Sequence, residues 1–205
     1  MKRFIYKFVK RLFDIVISII GMFFVLLLSI IIKSVFLINK NFNSIFYCHE
    51  RIGKNGKKIH IYKFKTMVED SNNIKKYFNT IQTKEFNKNF KLKNDPRITN
   101  LGKILRKLSI DELPQFINIL KGDMSIIGPR PVVEEELKRY KNQINKLLSV
   151  RPGLTGYWAC NSKYCKNYSH RIKLELYYID NMSFLLDLKI IFKTIFIILK
   201  GSKVQ

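Results

Sequence analysis

Cysteine is scarce in this sequence, and the shortage excludes a disulfide framework as the basis of its stability. The 205 residues include only 3 cysteines, Cys48, Cys160 and Cys165, an odd number that cannot be fully paired within one chain. Disulfides are typical of small secreted domains, whereas reduced thiols are the rule in the cytosol. The cysteine content therefore favours a domain that faces the cytosol.

Acidic residues are also few. Asp and Glu total 15 against 38 Lys and Arg, which gives a formal net charge of +23. Solubility alone does not require so large an excess, so we expect anionic partners. Nucleic acid, anionic lipid headgroups and phosphorylated substrates all meet this expectation, and charge does not choose among them. A chain of this length suits one compact domain together with a membrane element.

Formal charge is missing altogether between Ile15 and Ile32, a run of eighteen mainly aliphatic and phenylalanine residues. As a helix the run would be roughly 27 Å long, close to the ~30 Å hydrocarbon core of a bilayer. No cleavage site of small residues follows it, which disfavours a signal peptide. We therefore predict a membrane-embedded helix within residues 1–40 and a cytoplasmic domain over residues 41–205.

Both flanks of this run are basic, which bears on its topology. Cytoplasmic flanks are the ones rich in Lys and Arg, so the symmetry favours a re-entrant helix with both ends on the cytoplasmic face. The run contains no proline, and Gly21, Ser18 and Ser29 are the soft positions where it could turn. The flanking basic residues are Lys2, Arg3, Lys7, Lys10 and Arg11 before the run, and Lys33, Lys40, Arg51, Lys54, Lys57 and Lys58 after it.

The C-terminal segment has a similar character. Ser183 is a plausible N-cap for an amphipathic helix over 183–200, with Gly201 as its stop signal. Lys189, Lys193 and Lys200 fall on one face, and the rest of the surface is apolar. Such a helix either packs into a core or lies in the membrane interface, and the width of the apolar arc favours the interface.

Between these ends the sequence predicts short strands and several helices. The strands cover 45–47 and 58–64, joined by a turn at 53–56. Residues 69–93 form a polar, exposed, partly helical insertion. Helices follow at about 101–108, 111–120 and 132–148. The predicted class is α+β, mainly helical: a membrane-embedded re-entrant helix, a small soluble domain with short strands, and amphipathic interfacial helices.

The adjacent carboxylates Asp111 and Glu112 admit two interpretations. Ser109 and Glu112 match a capping box, and acidic residues at a helix N-terminus are favoured by the helix dipole. Alternatively, the pair holds a divalent metal and one carboxylate attacks phosphorus, since phosphoryl transfer is catalysed mainly by positioning and by neutralising charge. A cationic wall for phosphate oxygens would then come from the candidates Lys63, Lys65, Arg106 and Arg130.

A collinear series of motifs favours the second interpretation. The motifs are Lys10-Arg11-Leu12-Phe13-Asp14, Tyr62-Lys63-Phe64-Lys65-Thr66-Met67, Asp95-Pro96-Arg97-Ile98-Thr99, Leu108-Ser109-Ile110-Asp111-Glu112-Leu113-Pro114-Gln115, Lys121-Gly122-Asp123-Met124-Ser125, Gly128-Pro129-Arg130-Pro131, Arg151-Pro152-Gly153-Leu154-Thr155-Gly156, Tyr177-Tyr178 and Leu185-Leu186-Asp187-Leu188-Lys189. With these motifs the chain resembles the bacterial sugar transferase family, the small monotopic phosphoglycosyl transferases, over nearly its whole length.

The resemblance implies a reaction and a set of roles. Asp111 would attack the β-phosphate of a UDP-sugar, expel UMP and hold a covalent phospho-sugar, which polyprenyl (undecaprenyl) phosphate then accepts. Glu112 would be its catalytic partner, and the two carboxylates would bind Mg²⁺. The basic residues Lys63, Lys65, Arg106 and Arg130 would face the diphosphate.

The resemblance further implies a location on the cytoplasmic face of the inner membrane, contact with membrane lipids, and a role in starting exopolysaccharide, capsule, O-antigen or glycoprotein glycan synthesis. Nucleic acid is not an expected partner. The oligomeric state is open, a homodimer being one option. The rival functions are a membrane-tethered basic nucleic-acid-binding protein and a catalytically inactive family member.

The chain departs from the family pattern in two places. Ser29 is followed by Ile30, where relatives usually have a Ser-Pro pair that breaks the membrane helix. Residues 157–163 also differ from the usual sequence after Gly156, which predicts altered contacts to the nucleotide or the sugar.

Overall fold

The structure, a computed structural model, describes residues 2–39, 44–89, 92, 94–164 and 167–200. Helix predominates and the sheets are small, as the sequence predicts. The α-helices are α1 Lys2–Asn39, α2 Ile74–Tyr77, α3 Thr80–Asn89, α4 Asn100–Lys107, α5 Gln115–Lys121, α6 Glu134–Leu137, α7 Ile144–Leu148, α8 Tyr168–Asp180 and α9 Phe184–Leu199. The strands are β1 Phe46–Ile52, β2 Lys58–Phe64, β3 Ser125–Ile127 and β4 Gly153–Thr155.

Helix α1 is continuous from Lys2 to Asn39 and is long and apolar enough to cross a membrane by length and composition. None of the soft positions interrupts it; the Ser29 hydroxyl donates to the Val25 carbonyl at 2.7 Å within the intact helix. A narrow stripe is buried, and its spacing of three, four or seven residues places it on one helical face. The stripe consists of Asp14, Ser18, Gly21, Val25, Ile32 and Phe36.

The buried stripe packs α1 against the rest of the domain. Arg11 donates from its two terminal nitrogens to the carbonyls of Ile119 (2.6 Å) and Leu120 (2.9 Å) at the end of α5. At Gly21 a Cβ atom would lie 2.4 Å from the Phe116 ring, so only glycine allows this close approach. Most other apolar side chains of α1 are exposed, including those of Phe4, Phe8, Leu12, Ile19, Ile20, Phe23, Phe24, Leu26, Leu27, Ile30 and Ile31.

A buried carboxylate joins the two ends of the chain. Asp187 of α9 accepts hydrogen bonds from Tyr6 (2.8 Å) and Lys10 (2.9 Å) of α1 and from Tyr178 (2.7 Å) of α8. The side chains of Lys10 and Asp187 are only 12% and 8% exposed. This ion pair therefore fixes α1, α8 and α9 relative to one another.

Helix α9 confirms the predicted C-terminal helix. The Ser183 hydroxyl accepts from the Leu186 amide at 3.3 Å, as an N-cap does, and Gly201 lies outside the described residues. Asp187, Ile190 and Thr194 are buried. Other apolar side chains are exposed, namely those of Phe184, Leu185, Phe192, Ile195, Phe196 and Leu199.

Strand β1 is longer than predicted. It runs from Phe46 to Ile52 and pairs antiparallel with β2, so that Tyr47 lies opposite Lys63 and Arg51 opposite Ile59. The sequence obscures this strand because its polar side chains break the apolar run. The turn contains a 3-10 helix, Lys54–Gly56, in which Asn55 takes a φ of 58°.

Two predicted helices are wrong in their extent. The segment predicted as one helix over 111–120 is a 3-10 helix, Ile110–Glu112, followed by α5, which begins at Gln115 after Pro114. The segment 132–148 divides into α6, a 3-10 helix and α7, with a break at Lys141, whose φ is 48°. The insertion at 69–93 contains α2 and α3, and its Phe78 and Leu92 are buried rather than exposed.

Strands β3 and β4 form a small parallel pair that the sequence analysis did not predict. The Gly128 amide donates to the Thr155 carbonyl at 3.0 Å, and the Gly153 amide donates to the Pro129 carbonyl at 2.8 Å. A Cβ at Gly156 would lie 2.1 Å from the Gly128 carbonyl oxygen, so side chains are excluded here. This close backbone pairing fixes the start of the loop that carries Arg130.

Candidate active site

One cavity of about 450 Å³ brings together all six residues that the sequence nominates for chemistry. It lies between the β1–β2 hairpin, the end of α4, the 3-10 helix at 110–112 and the insertion. The nominated residues that line it are Asp111, Glu112, Lys63, Lys65, Arg106 and Arg130. The same cavity wall includes Tyr47, His49, Arg51, Phe64, Thr66, Met67, Ser71, Asn72, Phe86, Arg97 and Ser109.

The carboxylate pair does not cap a helix in the way its sequence suggests. Ser109 takes a left-handed conformation, with φ 56° and ψ 21°, and its side chain makes no capping hydrogen bond. The capping-box interpretation is therefore wrong. A left-handed serine costs roughly 1–2 kcal/mol, and backbone strain of this kind clusters at functional sites. Ser109 precedes the 3-10 helix Ile110–Glu112, and Asp111 and Glu112 of this short helix line the cavity.

Glu112 has a basic partner on the hairpin. Lys63 of β2 donates to a Glu112 carboxylate oxygen at 2.5 Å, and both side chains are partly buried. Charge-assisted contacts of this kind are stronger than neutral hydrogen bonds. The pair holds Glu112 in place and keeps a cation beside its neighbour Asp111.

Asp111 lies in a setting that resists ionisation. Burial raises the pKa of its carboxyl above the ordinary value, and the charge of Glu112 raises it further. Lys63 and Arg106 oppose these effects and favour the carboxylate. An acidic group with a perturbed pKa and specific charged neighbours in a cavity is typical of a catalytic position.

Arg106 stands at the end of α4, on the Asp111 side of the cavity. Its Nε donates to the Thr66 hydroxyl at 2.9 Å. Helix α4 can approach Thr66 because residue 102 is glycine, where a Cβ would lie 2.1 Å from the Thr66 carbonyl oxygen. Burial lowers the pKa of Arg106, while Asp111 raises it, and an arginine remains charged at neutral pH.

Arg130 approaches the cavity from the loop after β3. Its amide donates to the buried carboxylate of Glu175 at 3.3 Å, and its guanidinium lies 5.8 Å from the centre of the Trp158 ring. Burial lowers the pKa of Arg130, and the charge of Glu112 acts in the opposite direction. Arg171 and Tyr140 also donate to Glu175, so the carboxylate that binds the Arg130 amide is itself held in place on α8.

Lys65, like Lys63, has a carboxylate partner, but its partner is Glu69, at 2.5 Å, rather than one of the two proposed catalytic carboxylates. This partner is an exposed residue of the insertion. Lys65 lines the cavity, but part of its charge is already balanced.

A row of polar side chains on β1 was not among the predicted site residues. Tyr47, His49 and Arg51 alternate along the strand and share the face of Lys63, because directly opposed residues of paired strands point to the same side. Arg51 lies 3.1 Å from His49 Nδ1, and burial together with Arg130 lowers the pKa of Arg51. The sequence signal for this row is the spacing of two residues between Tyr47, His49 and Arg51. That spacing indicates a shared face only if the strand continues to Ile52, as it does in the structure.

Arg97 also lines the cavity, but its guanidinium is bound to other residues of the cavity wall. It forms two contacts with Asp95, at 2.9 and 2.6 Å, and donates to the Ser71 carbonyl at 3.0 Å. Its guanidinium lies 4.5 and 5.0 Å from the ring centres of Phe78 and Phe86. These contacts attach the insertion to the cavity, so the insertion is part of the site's wall.

The donor set is compatible with Mg²⁺. The described part of the chain contains no group of three or more His, Cys, Asp or Glu side chains suited to a metal. Magnesium, however, is usually bound by one or two carboxylates together with substrate phosphates and water. Asp111 and Glu112 supply two carboxylates beside a cavity large enough for a phosphorylated ligand.

Comparisons with known proteins show which sequences this chain is similar to. A sequence model described as bacterial sugar transferase matches residues 5–201. The chain is 40% identical over 197 residues to "Undecaprenyl-phosphate galactose phosphotransferase" of Salmonella typhimurium, covering 95% of this chain and 41% of that protein. It is 42% identical over 189 residues to "Exopolysaccharide production protein ExoY" of Sinorhizobium fredii, covering 91% of this chain and 83% of that protein.

A third relative is "UDP-N-acetylgalactosamine-undecaprenyl-phosphate N-acetylgalactosaminephosphotransferase" of Aeromonas hydrophila, 37% identical over 205 residues. The match covers 96% of this chain and 45% of that protein. The chain thus spans less than half the length of the two phosphotransferases named here.

Proposed function

The chain belongs to the bacterial sugar transferase family, and we propose that it moves a sugar 1-phosphate from a UDP-sugar to a membrane polyprenyl phosphate. The product would start a surface polysaccharide or another lipid-linked glycan. The observation that carries this proposal is the pair Asp111 and Glu112 in a cavity lined by Lys63, Arg106 and Arg130. Such a cavity suits a diphosphate beside a nucleophile.

The proposed reaction consists of two transfers at one phosphorus atom. A carboxylate oxygen of Asp111 bonds to the β-phosphorus of the UDP-sugar, the bond from that phosphorus to the bridging oxygen breaks, and UMP leaves with the oxygen. An oxygen of polyprenyl phosphate then bonds to the same phosphorus and releases the Asp111 carboxylate. The second product is a sugar linked to the polyprenyl chain through a diphosphate.

The surrounding residues lower the barrier by placing charge where the phosphate oxygens lie. Lys63 orients Glu112 through their 2.5 Å contact, and Thr66 orients Arg106. Arg130 and Arg51 also line the cavity and present further positive charge. Fixed donors in a partly dry cavity stabilise developing charge more effectively than water does.

Asp111 and Glu112 would also hold Mg²⁺ if the enzyme uses one. When bound, the ion would neutralise diphosphate oxygens and so ease departure of UMP. Because Lys63 already contacts Glu112, this chain supplies fixed positive charge at the same place.

The experiment that tests the function is a screen of the purified full-length chain against a panel of UDP-sugars with polyprenyl phosphate and Mg²⁺. We expect UMP release with at least one UDP-sugar and a lipid-linked product that carries the labelled sugar. A catalytically inactive member would release no UMP with any of them. Tight nucleic-acid binding at physiological salt without UMP release would instead support the rival binding function.

We further propose that α1 stays on the cytoplasmic face over its whole length. Its buried stripe from Asp14 to Phe36 belongs to the same packed domain as β2 and α5, because Val25, Ile32 and Phe36 share a cluster with Phe64 and Phe116. If α1 crossed ~30 Å of hydrocarbon, this buried stripe would be carried away from the cytoplasmic domain against which it packs. The exposed apolar faces of α1 and α9 would then lie in one leaflet.

Cysteine labelling tests this topology. Single cysteines at positions 2 and 44, in a chain whose Cys48, Cys160 and Cys165 are replaced by serine, should both react with an impermeant maleimide only in inverted membrane vesicles. Labelling of the two positions from opposite sides would mean that α1 crosses the bilayer.

The raised pKa of Asp111 predicts the pH dependence of the reaction. The nucleophile must be ionised, so kcat/KM should fall as pH decreases through a pKa above the ordinary range of an aspartic acid. Lys63→Met removes a cation that lowers this pKa, so the acidic limb should move to higher pH by roughly 1 pH unit. Lys103→Met, an exposed change on α4, should leave the limb in place. If Lys63→Met leaves the acidic limb of the kcat/KM–pH profile at the same pH, the assignment of Asp111 as the nucleophile is contradicted.

A further inference from the structure

A second cavity, of about 70 Å³, lies where the N-terminal part of α1 meets β3, the Lys54 turn and the segment before β4. Its charged lining consists of Lys7, Lys10, Arg11, Lys54, Arg151 and Asp14. Among the described residues it shares no lining residue with the larger cavity. Pockets that enclose a drug-sized ligand are roughly 300–1,000 Å³, so this one suits a single phosphate group rather than a nucleotide.

The arginines of this pocket are held by neutral groups, so their charge remains available. Arg11 donates to the carbonyls of Ile119 and Leu120, and Arg151 Nε donates to the Gly122 carbonyl at 2.7 Å. The carbonyls at the end of α5 orient both guanidinium groups without cancelling a full charge.

The lysines divide into one that is paired and two that are not. Lys10 is bound to Asp187, whereas Lys7 and Lys54 are exposed and have no ion pair with any described residue. These two side chains can therefore turn toward an incoming anion.

The acidic side chain in the lining does not offset these cations fully. Asp14 is 2% exposed and accepts from the Ser125 hydroxyl (3.1 Å) and the Ile126 amide (2.9 Å). Its carboxylate is directed into the protein, where it secures α1 to β3. With Lys10 balanced by Asp187, four cations and one carboxylate leave the pocket positive.

An apolar surface adjoins this positive pocket. Phe4, Phe8 and Leu12 are 78%, 66% and 55% exposed on the same turns of α1 that carry Lys7, Lys10 and Arg11. We propose that the pocket binds the phosphate of an anionic phospholipid whose acyl chains lie along this apolar face. The proposal rests on the membrane association proposed above, and the bound lipid is distinct from the polyprenyl acceptor, which must reach Asp111.

Direct binding to the detergent-solubilised full-length chain tests the site. The probes are dioctanoyl phosphatidylglycerol, dioctanoyl phosphatidylcholine, inorganic phosphate and a single-stranded oligonucleotide. We expect saturable binding of the phosphatidylglycerol that K7E/K54E weakens by about tenfold or more, since basic residues near anionic headgroups dominate such contacts. The milder K7Q/K54Q should show a smaller loss in the same direction, which guards against misfolding of the charge reversal.

The matched control is K138E/K173E, which makes the same charge change at two exposed lysines outside both cavities. It should alter phosphatidylglycerol binding by less than about twofold, because isolated surface charges contribute little. Equal loss in the control, equal binding of phosphatidylcholine, or equally tight binding of free phosphate or the oligonucleotide would overturn the proposal. UMP release by K7E/K54E should match that of the unmodified chain; absence of UMP release from both would count against the proposed reaction and not against the lipid site.

Discussion

Replacing Asp111 with asparagine should abolish both covalent labelling by a UDP-sugar and UMP release, the latter falling by at least about 10³-fold, as expected when a nucleophile is removed. Asparagine preserves the shape of the side chain but offers no anionic oxygen to phosphorus. The change should not unfold the protein, because burial already disfavours the charged form of Asp111. The contact between Lys63 and Glu112 does not involve Asp111 and should persist.

The measurement uses a UDP-sugar labelled in the sugar, with label on the protein read after denaturation and UMP release read separately. Asp180→Asn is the matched control, since this exposed carboxylate pairs with Lys146 at the surface, outside the cavity. It should label and turn over like the unmodified chain. If Asp111→Asn retains label and turnover, the nucleophile has been misassigned, and Glu112 becomes the next candidate.

The carboxylates could be found from the sequence because the motifs around them are collinear with those of a known family. The backbone conformation around these two carboxylates, in contrast, could not be predicted from the sequence. Ser109 fits a capping box by residue type, and only the fold reveals that its φ is 56° and that its hydroxyl caps nothing. Local propensity favours the cap, while the packing of α4 and α5 around the turn determines the outcome.

The basic residues of the cavity were likewise predicted only in part. Lys63, Lys65, Arg106 and Arg130 lie in recognisable motifs, and all four line the cavity. Arg51 was missed because β1 was predicted to end at Tyr47, so its alternation with Tyr47 and His49 was not seen as a strand. Strand length depends on pairing with β2, and the sequence of β1 alone does not contain that information.

The long apolar run illustrates a different limit. Its length and composition predict a membrane helix, and α1 is long and apolar in the structure. Which residues of it face the domain depends on tertiary contacts such as Gly21 against Phe116 and Arg11 against the end of α5. In a run that is apolar on all sides, periodicity cannot mark the buried face.

Removing the carboxylate at position 187 should have the largest effect on stability. Asp187→Leu removes the ion-pair partner of the largely buried Lys10 ammonium and the acceptor for Tyr6 and Tyr178. Breaking a buried ion pair by deleting one partner costs about 3–5 kcal/mol, so we expect a loss of that size in the free energy of unfolding. Urea unfolding of the detergent-solubilised chain, without added anionic lipid, measures it.

Two comparison variants separate the ion pair from side-chain loss in general. Asp180→Leu removes an exposed carboxylate that pairs with Lys146 and should cost less than about 1 kcal/mol. The double variant K10M/D187L removes both charges and should recover part of the loss, because no buried ammonium remains unpaired. A loss of less than about 1 kcal/mol in Asp187→Leu would mean that α1 is held mainly by its apolar stripe, and that the junction of α1, α8 and α9 contributes little to the fold.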